Sequence, residues 1–199
     1  MILKPDEARL HNVIDMGLGF SAMMRLFEKG SKTSLRDEVL RKVDTVFAAG
    51  SEKQFNEIHA DFCNWGTHNI MLAERKVNGR VVKPTGLARY GQIAKTLDVV
   101  LKVAVYYCHL PNCGKSDSIL GWLHAAVDTK MMALLAECYP EDIRPWPTTV
   151  EQVNSLAYAA IQKTVRKFIN DRHSGSITPV QFDDIYWEAL NKQGPSSAG

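Results

Sequence analysis

An all-α fold is what this sequence predicts: a compact multi-helix globular protein with two helical lobes around a cleft. Three observations carry that expectation. Apolar residues recur at helical spacing in nearly every segment, and the breaks fall at capping residues, glycines and prolines. Hydrophobic residues make up 45% of the chain and charged ones 23%, a globular balance that excludes wholesale disorder. The 199 residues suffice for one domain or two small lobes with a real core.

The elements follow in order. A first helix is expected over roughly Asp6 to Glu28, and "KGSKTS" reads as the turn after it. Leu35, Val39, Val43, Val46 and Phe47 then mark a second helix, capped by Ser34 and ended by Gly50. Ser51 opens a third, with Phe55, Ile58, Phe62 and Trp65 on one side. "VNGRVVKPTG" is the clearest break, a short hairpin or an exposed loop, and 76–86 is where a boundary between lobes would fall. A long helix follows from about Leu87 to Cys108, then a loop "HLPNCGKSDS", then a helix after Asp128. "YPEDIRPWPTT" is a proline-punctuated connection. A Thr-capped helix runs through "TTVEQVNSLAYAAIQKTVRKFINDRH", and "TPVQFDDIYWEALNK" is the last. One domain over 1–192 and a disordered tail over 193–199 complete the expectation.

Charge and cysteines narrow the function classes. A net charge of +2 permits nucleic-acid binding without arguing for it. No stretch is apolar enough to span a membrane, so a cytoplasmic protein, a monomer with no membrane partner, is expected. Cys63, Cys108, Cys113 and Cys138 lack paired metal-ligand spacing and read as reduced thiols. His59, Cys63 and His68 sit close in sequence, but as core or pocket residues; too few ligands fall together for zinc, and neither metal nor cofactor is expected.

The helix after Tyr90 carries the most unusual pattern. Tyr90, Ile93, Ala94, Leu97, Val100, Leu101 and Ala104 form an apolar stripe, and Val99 and Val103 add a second side, so neighbours should enclose this helix. Lys95, Asp98 and Lys102 nevertheless share one narrow stripe at i, i+3 and i+7. Such a stripe is either a solvated edge with local ion pairs or the lining of a cleft. Asp128 likewise reads two ways: as the N-cap of "TKMMALLAEC", and as a carboxylate placed to stabilise a developing cation.

"GQIAKTLDVVLK" followed by "AAVDTKMMALL" resembles the core of the helix-hairpin-helix DNA glycosylases of the endonuclease III type. In that family a glycine hairpin leads into a Lys-Thr-x-Asn-Val-Val-Leu-like helix, and a Val-Asp-Thr motif starts the next. The resemblance covers roughly Gly86 to Val153 and includes "TVEQV". It places Lys95 at the catalytic lysine, Asp128 at the essential aspartate and Gly91 at the first hairpin glycine. Ile93 stands where the second glycine would be, Arg89-Tyr90 replaces a Leu-Pro, and "YYCHLPNCGKSDSILGW" lengthens the interval between motifs. The family's iron–sulfur cysteines are absent.

The resemblance implies a DNA glycosylase acting on duplex DNA, which cleaves the N-glycosidic bond of a flipped-out damaged or modified base. Asp128 would stabilise the cationic sugar, and the attacking group would be water or Lys95, with Lys102 as fallback lysine. Trp122, His124, Trp65 and Tyr107 would wall the base pocket. Arg89, Gly91, Lys102, Lys115 and Lys130 would contact DNA, with the basic run Lys163–Phe168 adding phosphate contacts. A repaired lesion and a bulky modified base of phage DNA, attacked in antiviral defence, are both compatible substrates. The competing expectation is a non-enzymatic helical DNA-binding or protein-interaction module.

Overall fold

The computed structural model of the chain describes residues 3–192. The expected tail 193–199 and the side chain of Trp187 lie outside the described residues. Eight α-helices dominate: α1 (Pro5–Phe20), α2 (Lys29–Ala48), α3 (Glu52–Asn69), α4 (Tyr90–Leu101), α5 (Cys113–Leu120), α6 (Thr129–Cys138), α7 (Ser155–His173) and α8 (Pro179–Lys192). The all-α expectation holds, and no helix is long and apolar enough to cross a membrane.

The boundaries differ instructively. The first helix stops at Phe20 and a 3₁₀ turn spans Ala22–Arg25. "KGSKTS" is not a turn but the start of α2, whose cap residue is Glu28; Ser34 instead donates to Gly30 O within the helix. Ser31 explains why this start holds, since its hydroxyl accepts the Met71 N–H at 2.7 Å and ties α2 to a neighbouring strand. Ser51 caps α3 as expected, accepting from Gln54 N–H at 3.2 Å. The segment read as a loop, "HLPNCGKSDS", contains α5, because Asn112 accepts the Lys115 N–H and opens a helix there.

Between α3 and α4 lie two small antiparallel ladders: β1 (Met71–Leu72) with β4 (Gly86–Leu87), and β2 (Arg75–Val77) with β3 (Arg80–Lys83). Asn78 and Gly79 take φ of 50° and 76°, the pair of positive values a two-residue hairpin turn demands. This excursion separates α3 from α4. A tight glycine hairpin joining two helices, which the resemblance implies, does not form there.

Around α4 the rest of the molecule is arranged. Ten of its residues are buried, from Tyr90 to Leu101, as its two-sided apolar pattern foretold. Helices α1, α3 and α7 pack against it, as does a 3₁₀ turn at Val150–Gln152. Gly66 lets α3 come close: a Cβ there would lie 2.6 Å from the Ile93 side chain. Past Leu101 the helix widens into a π-helical turn over Lys102–Tyr107, closed by Cys108 N–H to Val103 O at 3.0 Å. α6, α7 and α8 pack on one another, and α7 joins them to α4.

Candidate functional site

The polar stripe of Lys95, Asp98 and Lys102 is not a solvated edge: Asp98 and Lys102 meet different partners, and Lys95 is half-buried. Lys102 is 13% exposed and donates to Asp183 Oδ2 at 2.6 Å, with Asp184 alongside, both from α8. Burial works against its charge, but Asp183 and Asp184 outweigh that and raise its pKa. The lysine expected to contact DNA is thus paired within the fold to two carboxylates of α8. Asp98, four residues earlier, is 2% exposed.

Lys95, one turn before Asp98 on the same stripe, is half-buried. Burial lowers its pKa, opposed by the charges of Asp128, Asp183 and Asp98. Among the described residues no group hydrogen-bonds or ion-pairs directly with its amine. The surrounding field therefore favours its charge, while removal from water disfavours it, and the net shift of the pKa is downward.

Asp128 is placed by the segment before it. Leu123, Ala125, Ala126 and Val127 are buried, and Gln162 of α7 clamps this strand-like stretch from both sides. Its Oε1 accepts Ala125 N–H at 3.1 Å and its Nε2 donates to Ala125 O at 2.8 Å. The chain then turns into α6, and Asp128 Oδ1 accepts the Met131 N–H at 2.8 Å as an N-cap. Capping leaves this carboxylate able to act on Lys95 through its charge. Thirty-three residues apart in sequence, Asp128 comes near enough for that charge to favour the protonated form of the Lys95 amine.

The remaining expected residues disperse. Gly91 is buried in the first turn of α4; its N–H donates to Val153 O at 2.9 Å, so it offers nothing to a phosphate. Lys115, expected to contact DNA, donates to Ala49 O at 2.8 Å and fastens α5 to the end of α2. Arg89 is exposed at the head of α4, beside an open depression of about 530 Å³ lined also by Tyr90, Gln152 and Asn154. Lys130 is exposed in the first turn of α6, next to Asp128. In the basic run, Arg166 donates to Gly121 O and Lys167 to Asp142, so both serve packing.

No ring contact among the described residues joins the four expected pocket aromatics to one another. Trp65 packs on Phe62, with ring centroids 5.7 Å apart. Tyr107 is 50% exposed and donates to Asp184 at 2.7 Å. Trp122 is half-buried, its carbonyl accepting from Arg166 at 3.4 Å. His124 belongs to a buried polar cluster that sequence reasoning missed.

That cluster lies in the core, and its carboxylate, Asp98, is on the same helix as Lys95. His59 Nε2 donates to Asp98 Oδ1 at 2.9 Å, and the Tyr158 hydroxyl lies 2.9 and 2.8 Å from the two Asp98 oxygens. The same hydroxyl is 3.0 Å from His124 Nδ1 and 3.3 Å from His59 Nε2. Burial opposes charging His59, yet Cys63 and Asp98 outweigh it and lift its pKa to about 10. His124 is pushed well below the usual histidine range, first by burial and then by His59 and Arg166. Burial and Asp98 together raise the Tyr158 phenol. His68, grouped with His59 in the sequence, stays exposed and bonds only locally to Asn64 and Thr67.

The chain matches no protein-family model, no curated protein and no solved structure.

Proposed function

We propose that the protein is a DNA glycosylase whose nucleophile is the Lys95 amine, assisted by the Asp128 carboxylate. The single observation that supports this reading is a lysine on α4 whose pKa is lowered by burial while the charge of Asp128, at the head of α6, acts on the same amine. An amine is nucleophilic only when neutral, and burial is the physical means of making it so.

The chemistry balances with these two groups alone. As the C1′–N bond to the base breaks, positive charge grows on the deoxyribose, and a carboxylate fixed nearby lowers that barrier. The Lys95 lone pair forms the new bond to C1′, and the base leaves with the electrons of its glycosidic bond and takes up a proton. Opening of the sugar ring then gives an imine between Lys95 and C1′. Loss of the C2′ proton and of the 3′-phosphate cuts the strand. The target base must first leave the stack, since its C1′ is unreachable inside a duplex.

Substrate class is tested with a panel of duplexes carrying alkylated, oxidised or bulky modified bases. Released base is measured by mass spectrometry and abasic sites by alkaline cleavage. Release from one class supports the reading, and no release from any of them sinks it.

A further inference from the structure

Four polar groups from four separate segments converge in the core: His59 from α3, Asp98 from α4, His124 from the stretch before α6, and Tyr158 from α7. Their spacing is that of a coordination cage. His59 Nε2 and Asp98 Oδ1 are 2.9 Å apart, and His124 Nδ1 is 4.0 Å from Asp98 Oδ1. One ligand atom from each of His59, Asp98 and His124 lies within 4.8 Å of the others. The Tyr158 oxygen stands within 3.3 Å of all three residues. Tetrahedral zinc, with bonds of about 2.0 Å, holds its ligand atoms about 3.3 Å apart, inside this spread.

The surroundings orient both imidazoles inward. His59 Nδ1 faces Cys63 Sγ at 3.6 Å, and His124 Nε2 faces Asn56 Oδ1 at 2.9 Å. Each ring thus has its far nitrogen held by a partner while its near nitrogen points at the shared centre, the arrangement that fixes metal-binding histidines. His59 and Cys63 are neighbours one helical turn apart, which hides this arrangement in the sequence, where they look like two stranded ligands. The other ligands come from positions 98, 124 and 158.

We propose that His59, Asp98, His124 and Tyr158 form a binding site for a divalent transition metal of the zinc class. Two imidazoles, a carboxylate and a phenol suit zinc better than calcium or magnesium, which favour cages of oxygen alone. The side chain of His124 is 9% exposed and bonds to exposed Asn56, so this edge is the way in. The ion's task is to fasten α3, α4 and α7 behind Lys95. The proposal is independent of the glycosylase reading.

The test uses the full chain, stripped with chelator and titrated with Zn²⁺ or Co²⁺ alone. One ion per chain, visible absorption bands of four-coordinate Co²⁺, and a melting temperature that climbs with free Zn²⁺ are expected. His124→Gln should weaken binding by more than the ~10–100-fold that loss of an outer partner costs. His173→Gln, at a histidine bonded to Tyr186 away from the cluster, should bind as the parent does. If His124→Gln fails to fold, Tyr158→Phe keeps three ligands and should still weaken uptake and alter the Co²⁺ spectrum. Substoichiometric uptake by the parent overturns the proposal. So does uptake that neither variant changes.

Discussion

Replacing Gly91 with alanine separates two meanings of the same residue. A Cβ at position 91 would lie 2.4 Å from Val150 O, 2.7 Å from Val153 Cβ and 3.2 Å from Val153 O. Two of these are backbone atoms, so relief requires moving the 3₁₀ turn off α4. Overpacking of this kind costs about 1–3 kcal/mol. Stretching the Gly91 N–H bond to Val153 O adds about 0.5–1.5 kcal/mol. A less flexible unfolded chain returns about 0.4–1 kcal/mol. The net is a loss of ~0.5–4 kcal/mol, or ~2–4 °C of melting temperature for each kcal/mol in a chain of this size. Gly30→Ala is the control. It lies in the first turn of α2 with nothing within 4 Å, and should gain about 0.4–1 kcal/mol. Thermal melts and denaturant titrations of both variants decide the matter. A Gly91→Ala protein that melts with the parent and loses only DNA affinity would refute the packing argument and restore a phosphate-binding glycine.

Further outcomes follow from the same geometry. Asp128→Asn keeps the acceptor for Met131 N–H, so the helix cap survives and stability should change by less than ~0.5 kcal/mol. Base excision by that variant should fall by roughly 10²–10³ in single-turnover assays. Lys95→Met should raise the melting temperature near neutral pH, since it removes an amine whose charging is disfavoured in the fold. With the folded pKa below the ordinary 10.5, that penalty is full at pH below the folded value and is relieved as pH rises toward 10.5. The Lys95→Met advantage should therefore shrink in melts at alkaline pH, and excision by the parent should increase with pH as the amine deprotonates.

Local signals account for what was legible. Ser51, Asp128 and the Asn78-Gly79 pair act within three or four residues, so their roles could be read off directly. The two-sided apolar pattern of α4 likewise announced its enclosure. Tertiary bonds governed the failures. "KGSKTS" has the composition of a turn, but a bond from a distant strand to Ser31 makes it helix. The stretch before α7 read as one helix, yet Thr149 and Gln152 close a short turn of their own and Asn154 caps the real helix. The ion pairs of Lys102 and the internal bond of Lys115 depend on residues eighty-one and sixty-six positions away. Of the buried cluster Asp98, His59 and His124 each stood out singly, but nothing in the sequence joins them, and Tyr158 sits among ordinary helical apolar residues.

The most direct test of the central claim is borohydride trapping on a duplex that the protein excises. Borohydride reduces the imine between Lys95 and C1′ to a stable secondary amine, which leaves protein and DNA joined. Peptide mass mapping of that adduct should find it on Lys95, and Lys95→Gln should give neither adduct nor strand cleavage. An adduct on Lys102 or Lys130, or unchanged base release by Lys95→Gln, would contradict the account.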